Sequence, residues 1–111
     1  MARPTVTPPE RVVVKIGTVS LIDSTGAIEE ERIASLCEQI AALRSSGIEV
    51  IVVSSGAIAA GLEPLALKTR PADIPSLQAA AAVGQGRLLA LYSRLLADAG
   101  WVTAQILLSQ T

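Results

Sequence analysis

Histidine and phenylalanine are both absent from this chain of 111 residues. Without histidine, histidine-based catalytic triads and histidine metal clusters are excluded within the chain. Only two aromatics occur, Tyr92 and Trp101, too few for a platform that stacks single-stranded bases. A single cysteine, Cys37, rules out an internal disulfide framework and suits a reducing compartment, so a cytoplasmic location is expected. Charge of neither sign dominates: nine basic and ten acidic residues are scattered along the chain for a net charge of −1. A protein that tracks a phosphate backbone would concentrate Lys and Arg, so no nucleic-acid partner is expected. Apolar runs are broken by Gly, Ser or charge well short of the roughly 18 residues of a membrane-spanning helix. No apolar targeting segment follows the proline-rich start, and no membrane partner is expected.

Half of the residues are apolar, enough to build a core, and the length allows one domain at most. Residues 1–10 read as a flexible Pro-rich tail. Arg11 to Ile16 is a short β-branched run, apolar on both faces, as buried parallel strands are. Residues 22–28, "IDSTGAI", carry turn chemistry. From 29 to about 46 the spacing predicts a helix. Ile33, Leu36, Cys37, Ile40 and Leu43 share a face there, Glu29 to Glu31 crowd the positive N-terminal end, and Gly47 is the stop. This places Cys37 in the core. Glu49 to Ser54 repeats the first strand, and 56–63 is a short helix. A loop spans 64–75, and a long helix runs from about Pro75 to Ala99, ended by Gly100. Trp101 to Leu108 reads as a third strand. The alternation predicts an α/β fold with parallel pairing.

In such sheets ligands sit beyond the carboxyl ends of the strands. Two strands end there in small polar residues, "KIGT" at 15–18 and "SSGA" at 54–57. Glycine lets a ligand approach the backbone, and amides at a following helix start suit an anion. A turn glycine explains Gly17 or Gly56 taken singly, and a strand-edge lysine explains Lys15 taken singly. Their coincidence on one sheet edge favours an anionic ligand. A lysine within an apolar strand is unfavourable to bury unpaired, and its amine is well placed if it emerges beside such a ligand. Gly84 and Gly86 fall inside the long helix, where each glycine costs about 1 kcal/mol relative to alanine. Close helix packing or a subunit contact is the preferred explanation over a ligand role.

"VVVKIGT" at 12–18, "VSSGAIAAGL" at 53–62 and "LQAAAAVGQGRL" at 77–88, in that order and spacing, are similar to the glutamate 5-kinases of the amino-acid kinase family. The similarity covers nearly all of residues 11–111. "KxGT" is shared with kinases of acetylglutamate, aspartate and UMP, whereas "SSGAIAAG" followed by "AAVGQ" is more specific. The resemblance implies a three-layer αβα sandwich, of which this chain is the N-terminal half, with a mainly parallel sheet. It also implies ATP-dependent phosphorylation of the L-glutamate side-chain carboxylate to glutamyl 5-phosphate, the first step of proline biosynthesis. Such catalysis is mostly positioning and charge neutralisation, with Mg²⁺ bound mainly through the nucleotide and no metal site supplied by these residues. By the same resemblance Lys15 is the catalytic residue and contacts the phosphates together with Gly17 and Thr18. Ser55, Gly56 and Ala57 then bind glutamate. A homo-oligomer is implied as well.

Two positions depart from the family pattern. Val19 stands where a small hydroxyl residue is frequent, with Ser20 beside it as a partial substitute, and Leu77 stands where lysine is common. The family's catalytic domain is more than twice this length. The remaining glutamate contacts, the adenine-binding half and a common accessory PUA domain would follow residue 111. The chain by itself is therefore expected to lack kinase activity. Two alternatives stay open: a non-catalytic α/β module that dimerises, and another amino-acid kinase, of the acetylglutamate or UMP type.

Overall fold

β-Branched side chains favour pleated backbone, and the two runs rich in them pair as strands. In the computed structural model, which describes residues 10–106, β1 is Arg11–Ile16 and β2 is Glu49–Ser54. They run parallel, with Arg11 opposite Glu49, Lys15 opposite Val53 and Ile16 opposite Ser54. Between them lie α1, Thr18–Leu21, and α2, Glu30–Ser45; α3, Ala57–Leu62, and α4, Ile74–Asp98, follow β2. The strands have the bounds read from the sequence, and the three longer helices fall within one or two residues of theirs. The single turn α1 is an addition. Its residues carry no apolar periodicity, and it is held by the chain reversal that docks Leu21 in the core.

Both long helices stop on glycine. Gly47 has φ +82°, and the amide of Ile48 reaches back to the Leu43 carbonyl at 3.1 Å. Gly100 has φ +86°, and the amide of Trp101 reaches the Leu96 carbonyl at 2.9 Å. Both endings satisfy carbonyls that the helix leaves without partners. At the other end of α4 the Asp73 carboxylate accepts from the amide of Ser76 at 3.0 Å, and Pro75 occupies the first turn. That is a helix start in which the missing proline N–H is no loss.

The core lies between one sheet face and the helices. Ile33, Cys37 and Ile40 of α2 meet Leu88, Leu91, Tyr92 and Leu96 of α4, with Leu21 and Ile22 closing one end. Leu21, Ile33 and Leu88 are wholly enclosed, each contributing about 1.5–3 kcal/mol of burial. Val50, Val52 and Ile16 lay the covered sheet face on this cluster. The opposite face is bare: Val13, Ile51 and Val53 are 57%, 45% and 47% exposed. The strands are thus apolar on both faces, as expected, and the described residues build two of the three layers of an αβα sandwich.

Of the third strand expected at Trp101 to Leu108, the described part, residues 101–106, is not strand. Residues 101–106 join no ladder, and residues 107–111 lie outside the described set. Val102 and Ile106 are 97% and 83% exposed, so their β-branched pattern finds neither a neighbouring strand nor a covered face. Trp101 instead turns back under Arg44, whose guanidinium sits 4.7 Å from the ring centroid. Of the expected N-terminal tail, Glu10 is already tied to the sheet, its carbonyl accepting from the amide of Glu49 at 2.9 Å. Residues 1–9 lie outside the described set.

Candidate functional site

Parallel pairing puts the carboxyl ends of β1 and β2 side by side, and the two polar termini meet there. The amide and the hydroxyl of Ser55 both donate to the carbonyl of Ile16, at 3.0 and 3.1 Å. The hydroxyls of Thr18 and Ser55 lie 3.2 Å apart across the junction. Gly56 has φ +94°, a left-handed conformation that glycine adopts without strain, and its α-carbon faces Thr18. A Cβ built there would stand 3.5 Å from the Thr18 methyl, so the backbone conformation, rather than a lack of space, calls for glycine. The chain then enters α3 at Ala57. Thr18, Ser55 and Gly56 are therefore brought together, with Ala57 next to them.

Lys15 lies one register position earlier, on the bare face of the sheet with Val53 opposite, and is exposed. It forms no ion pair among the described residues. With Gly17, Ser20, Leu21 and Arg32 it also borders an open depression of about 330 Å³ on the free side of β1. Lys15 and Arg32 are the charged residues on its border, and no acidic residue is among them. Gly17 is in ordinary extended backbone, and a Cβ added there would meet nothing, so this glycine answers to no local steric demand. The residues read from the sequence thus form two adjoining groups on one sheet edge. Lys15 and Gly17 border the depression, and Thr18, Ser55 and Gly56 form the hydroxyl-rich junction. Val19, one of the two departures, is 83% exposed and contributes no hydroxyl to either group.

No group of three or more His, Cys, Asp or Glu side chains able to hold a metal lies among the described residues. No helix among them is long and apolar enough to cross a membrane. Two buried titratable groups lie in the core, outside the candidate site. Burial pushes the Cys37 thiol up, so the thiol form is favoured, and Cys37 packs as core, as read from its helix face. Burial also pushes the Tyr92 phenol up, with nearby Ser54 acting in the opposite sense. Among the described residues no well-aligned hydrogen bond reaches the Tyr92 hydroxyl.

Residues 10–111 match the family described as the amino acid kinase family. The chain belongs to the amino acid kinase family. Its relatives within that family include the glutamate 5-kinase of Thermobifida fusca, 50% identical over 99 residues, which covers 89% of this chain and 26% of the relative. The glutamate 5-kinase of Salinispora arenicola is 47% identical over 107 residues, 96% of this chain and 29% of the relative. That of Clostridium acetobutylicum is 47% identical over 100 residues, 90% of this chain and 38% of the relative. This amino acid kinase chain therefore spans between about a quarter and two-fifths of the length of these relatives.

Sequence reasoning passed over two features of this amino acid kinase segment. Gly61, like Gly84, is a point of direct backbone contact between α3 and α4. A Cβ on Gly61 would fall 1.8 Å from the Ala80 carbonyl oxygen, and one on Gly84 would fall 1.6 Å from that of Ala57. Gly84 is thus explained by close helix packing, whereas Gly86 faces open space. Arg87 is the second feature: its guanidinium donates to the Ala60 carbonyl at 2.6 Å. The spacing of Gly61 to Pro64 held a signal for it, because Pro64 cannot supply the amide that Ala60 would otherwise accept from.

Proposed function

We propose that this segment is the phosphate- and acceptor-facing part of a glutamate 5-kinase, which transfers the terminal phosphoryl group of ATP to the side-chain carboxylate of L-glutamate. The observation that carries the reading is the meeting of the Thr18 and Ser55 hydroxyls 3.2 Å apart, beside the left-handed Gly56 at the ends of two parallel strands. The relatives named glutamate 5-kinase add the reaction class.

A carboxylate and a triphosphate repel each other, so the site must neutralise charge and align the two reactants in line. In this reading Lys15 is the catalytic residue and neutralises charge on the transferring phosphoryl group. Gly17 offers bare backbone beside it, and Thr18 a hydroxyl donor. Ser55 donates to the glutamate carboxylate, while Gly56 and Ala57 allow its close approach to the backbone. Mg²⁺ bound through the nucleotide would add to this charge neutralisation. The reading extends to a homo-oligomeric enzyme in the cytoplasm, a setting that suits one buried, unpaired cysteine.

The test is ADP release by the full-length gene product, from its own reading frame, with L-glutamate, N-acetyl-L-glutamate and UMP offered as acceptors. Turnover dependent on L-glutamate and at least tenfold slower with the other two, on the order of 1 kcal/mol of discrimination, is expected. Preference for either alternative acceptor, or no turnover, overturns the reading. The 111-residue chain alone is expected to release no ADP, since its bare sheet face presents only part of a site.

A further inference from the structure

We infer that Arg87 is a positioning residue, which pins the far end of α3 and so holds Ser55, Gly56 and Ala57 in register with Thr18. The inference rests on the acceptor-binding reading of that loop.

At six residues α3 is too short to hold itself together, since isolated helices below about 12 residues are marginal in water. Its N-cap makes no side-chain hydrogen bond, and its buried residues are only Ala60 and Gly61. What fixes it is α4. The two backbones touch through Gly61 and Gly84, which sets their separation. Arg87 adds a directional contact at the far end of α3. The Ala60 carbonyl lies in the last turn, and the residue that would normally donate to it, four positions on, is Pro64, which has no N–H. The Arg87 guanidinium donates to it at 2.6 Å across 27 residues of sequence. The bond is charge-assisted, partly buried and directed at the negative end of the helix, all of which strengthen it. The ion pair with Glu63, at 3.9 Å and with the Glu63 side chain 61% exposed, adds little. Ala60 is in turn bound to the loop, its amide donating to the Gly56 carbonyl at 2.9 Å. One residue therefore links the Arg87 guanidinium to the left-handed glycine of the site.

The test uses the full-length gene product, with KM for L-glutamate and for ATP measured separately and amide hydrogen exchange followed over residues 55–62. Arg87→Met removes the donor and keeps the aliphatic stem. It is expected to raise KM for glutamate about tenfold, leave KM for ATP within about twofold, and speed exchange in α3. Arg87→Lys, which keeps the charge and a donor, should fall between, and Glu63→Gln should match the parent. A glutamate KM unchanged in Arg87→Met, a rise in both KM values together, or unaltered exchange overturns the inference. Ser55→Ala is measured beside it. If Ser55→Ala leaves glutamate KM unchanged, the acceptor reading itself falls and takes the functional half of this inference with it. If Ser55→Ala raises KM and Arg87→Met does not, only the role of Arg87 falls.

Discussion

Gly84→Ala tests how α3 is set against α4. The new methyl would lie 1.6 Å from the Ala57 oxygen and 2.7 Å from both the Ala57 carbonyl carbon and the Gly61 nitrogen. Ordinary van der Waals contact begins near 3.4 Å, so the two helices must part by 1.8 Å (3.4 less 1.6). The obstructing atoms are all backbone and have no rotamer in which to escape. Overpacking of this kind costs about 1–3 kcal/mol, and the upper end applies where nothing can rotate aside. Against it stands the helix preference of alanine over glycine, about 1 kcal/mol. The net expectation is a loss of about 2 kcal/mol, or a fall in Tm on the order of 10 °C. Gly86→Ala, two residues along the same helix, meets nothing within 4 Å and should gain up to about 1 kcal/mol from propensity alone. Urea unfolding of both variants, followed by far-ultraviolet circular dichroism, reads the two signs in one experiment. A Gly84→Ala variant at or above the parent's stability would refute the backbone-contact argument, because only helix propensity would then remain.

Lys15→Ala in the full-length gene product should reduce kcat by on the order of a thousandfold with an unchanged circular dichroism spectrum, since the side chain is exposed; a kcat near the parent value removes its phosphate role. Tyr92→Phe removes a buried hydroxyl with no well-aligned hydrogen bond among the described residues, so urea unfolding should find stability equal to the parent or up to about 1 kcal/mol higher, and a clear loss would mean that the contact with Ser54 acts as a hydrogen bond. Asp73→Ala should lower Tm at neutral pH by removing the α4 cap. The hydrogen bonds from Ser76, side chain first and backbone second, hold the Asp73 carboxyl below its ordinary value. Its contribution is therefore complete above the unfolded-state pKa and lost as pH falls through the lower folded-state value. Parent and variant should converge in Tm toward acid pH, and a gap that stays constant from pH 7 to pH 2 would refute the assignment.

The strands and long helices were legible because their signals are local. Val12 to Ile16 and Val50 to Val53 are β-branched runs between polar ends. Ile33, Cys37 and Ile40 recur at helical spacing, and Gly47 and Gly100 stand where a left-handed residue ends a helix. Residues 101–106 do not pair as a strand, for the complementary reason. Trp101 to Ile106 has strand-like residues, but a strand exists only with a neighbour to share its hydrogen bonds, and the described residues provide none. The candidate site was legible as residue types at strand ends, because parallel topology sends Gly17, Thr18, Ser55 and Gly56 to one edge.

Residue types, periodicity and capping chemistry by themselves determined which segments of this protein become strand or helix and which polar residues end the strands. Each of these depends on neighbours a few positions away in the chain. Tertiary structure alone decided that the Thr18 and Ser55 hydroxyls meet, that Gly61 and Gly84 are needed for backbone contact while Gly86 is not, and that Arg87 completes a helix end whose amide donor Pro64 removed. Those outcomes depend on which surfaces come within 3 or 4 Å of each other across tens of residues. Interactions of that range act between elements already docked, where the separation of two helix backbones decides whether a single methyl group fits.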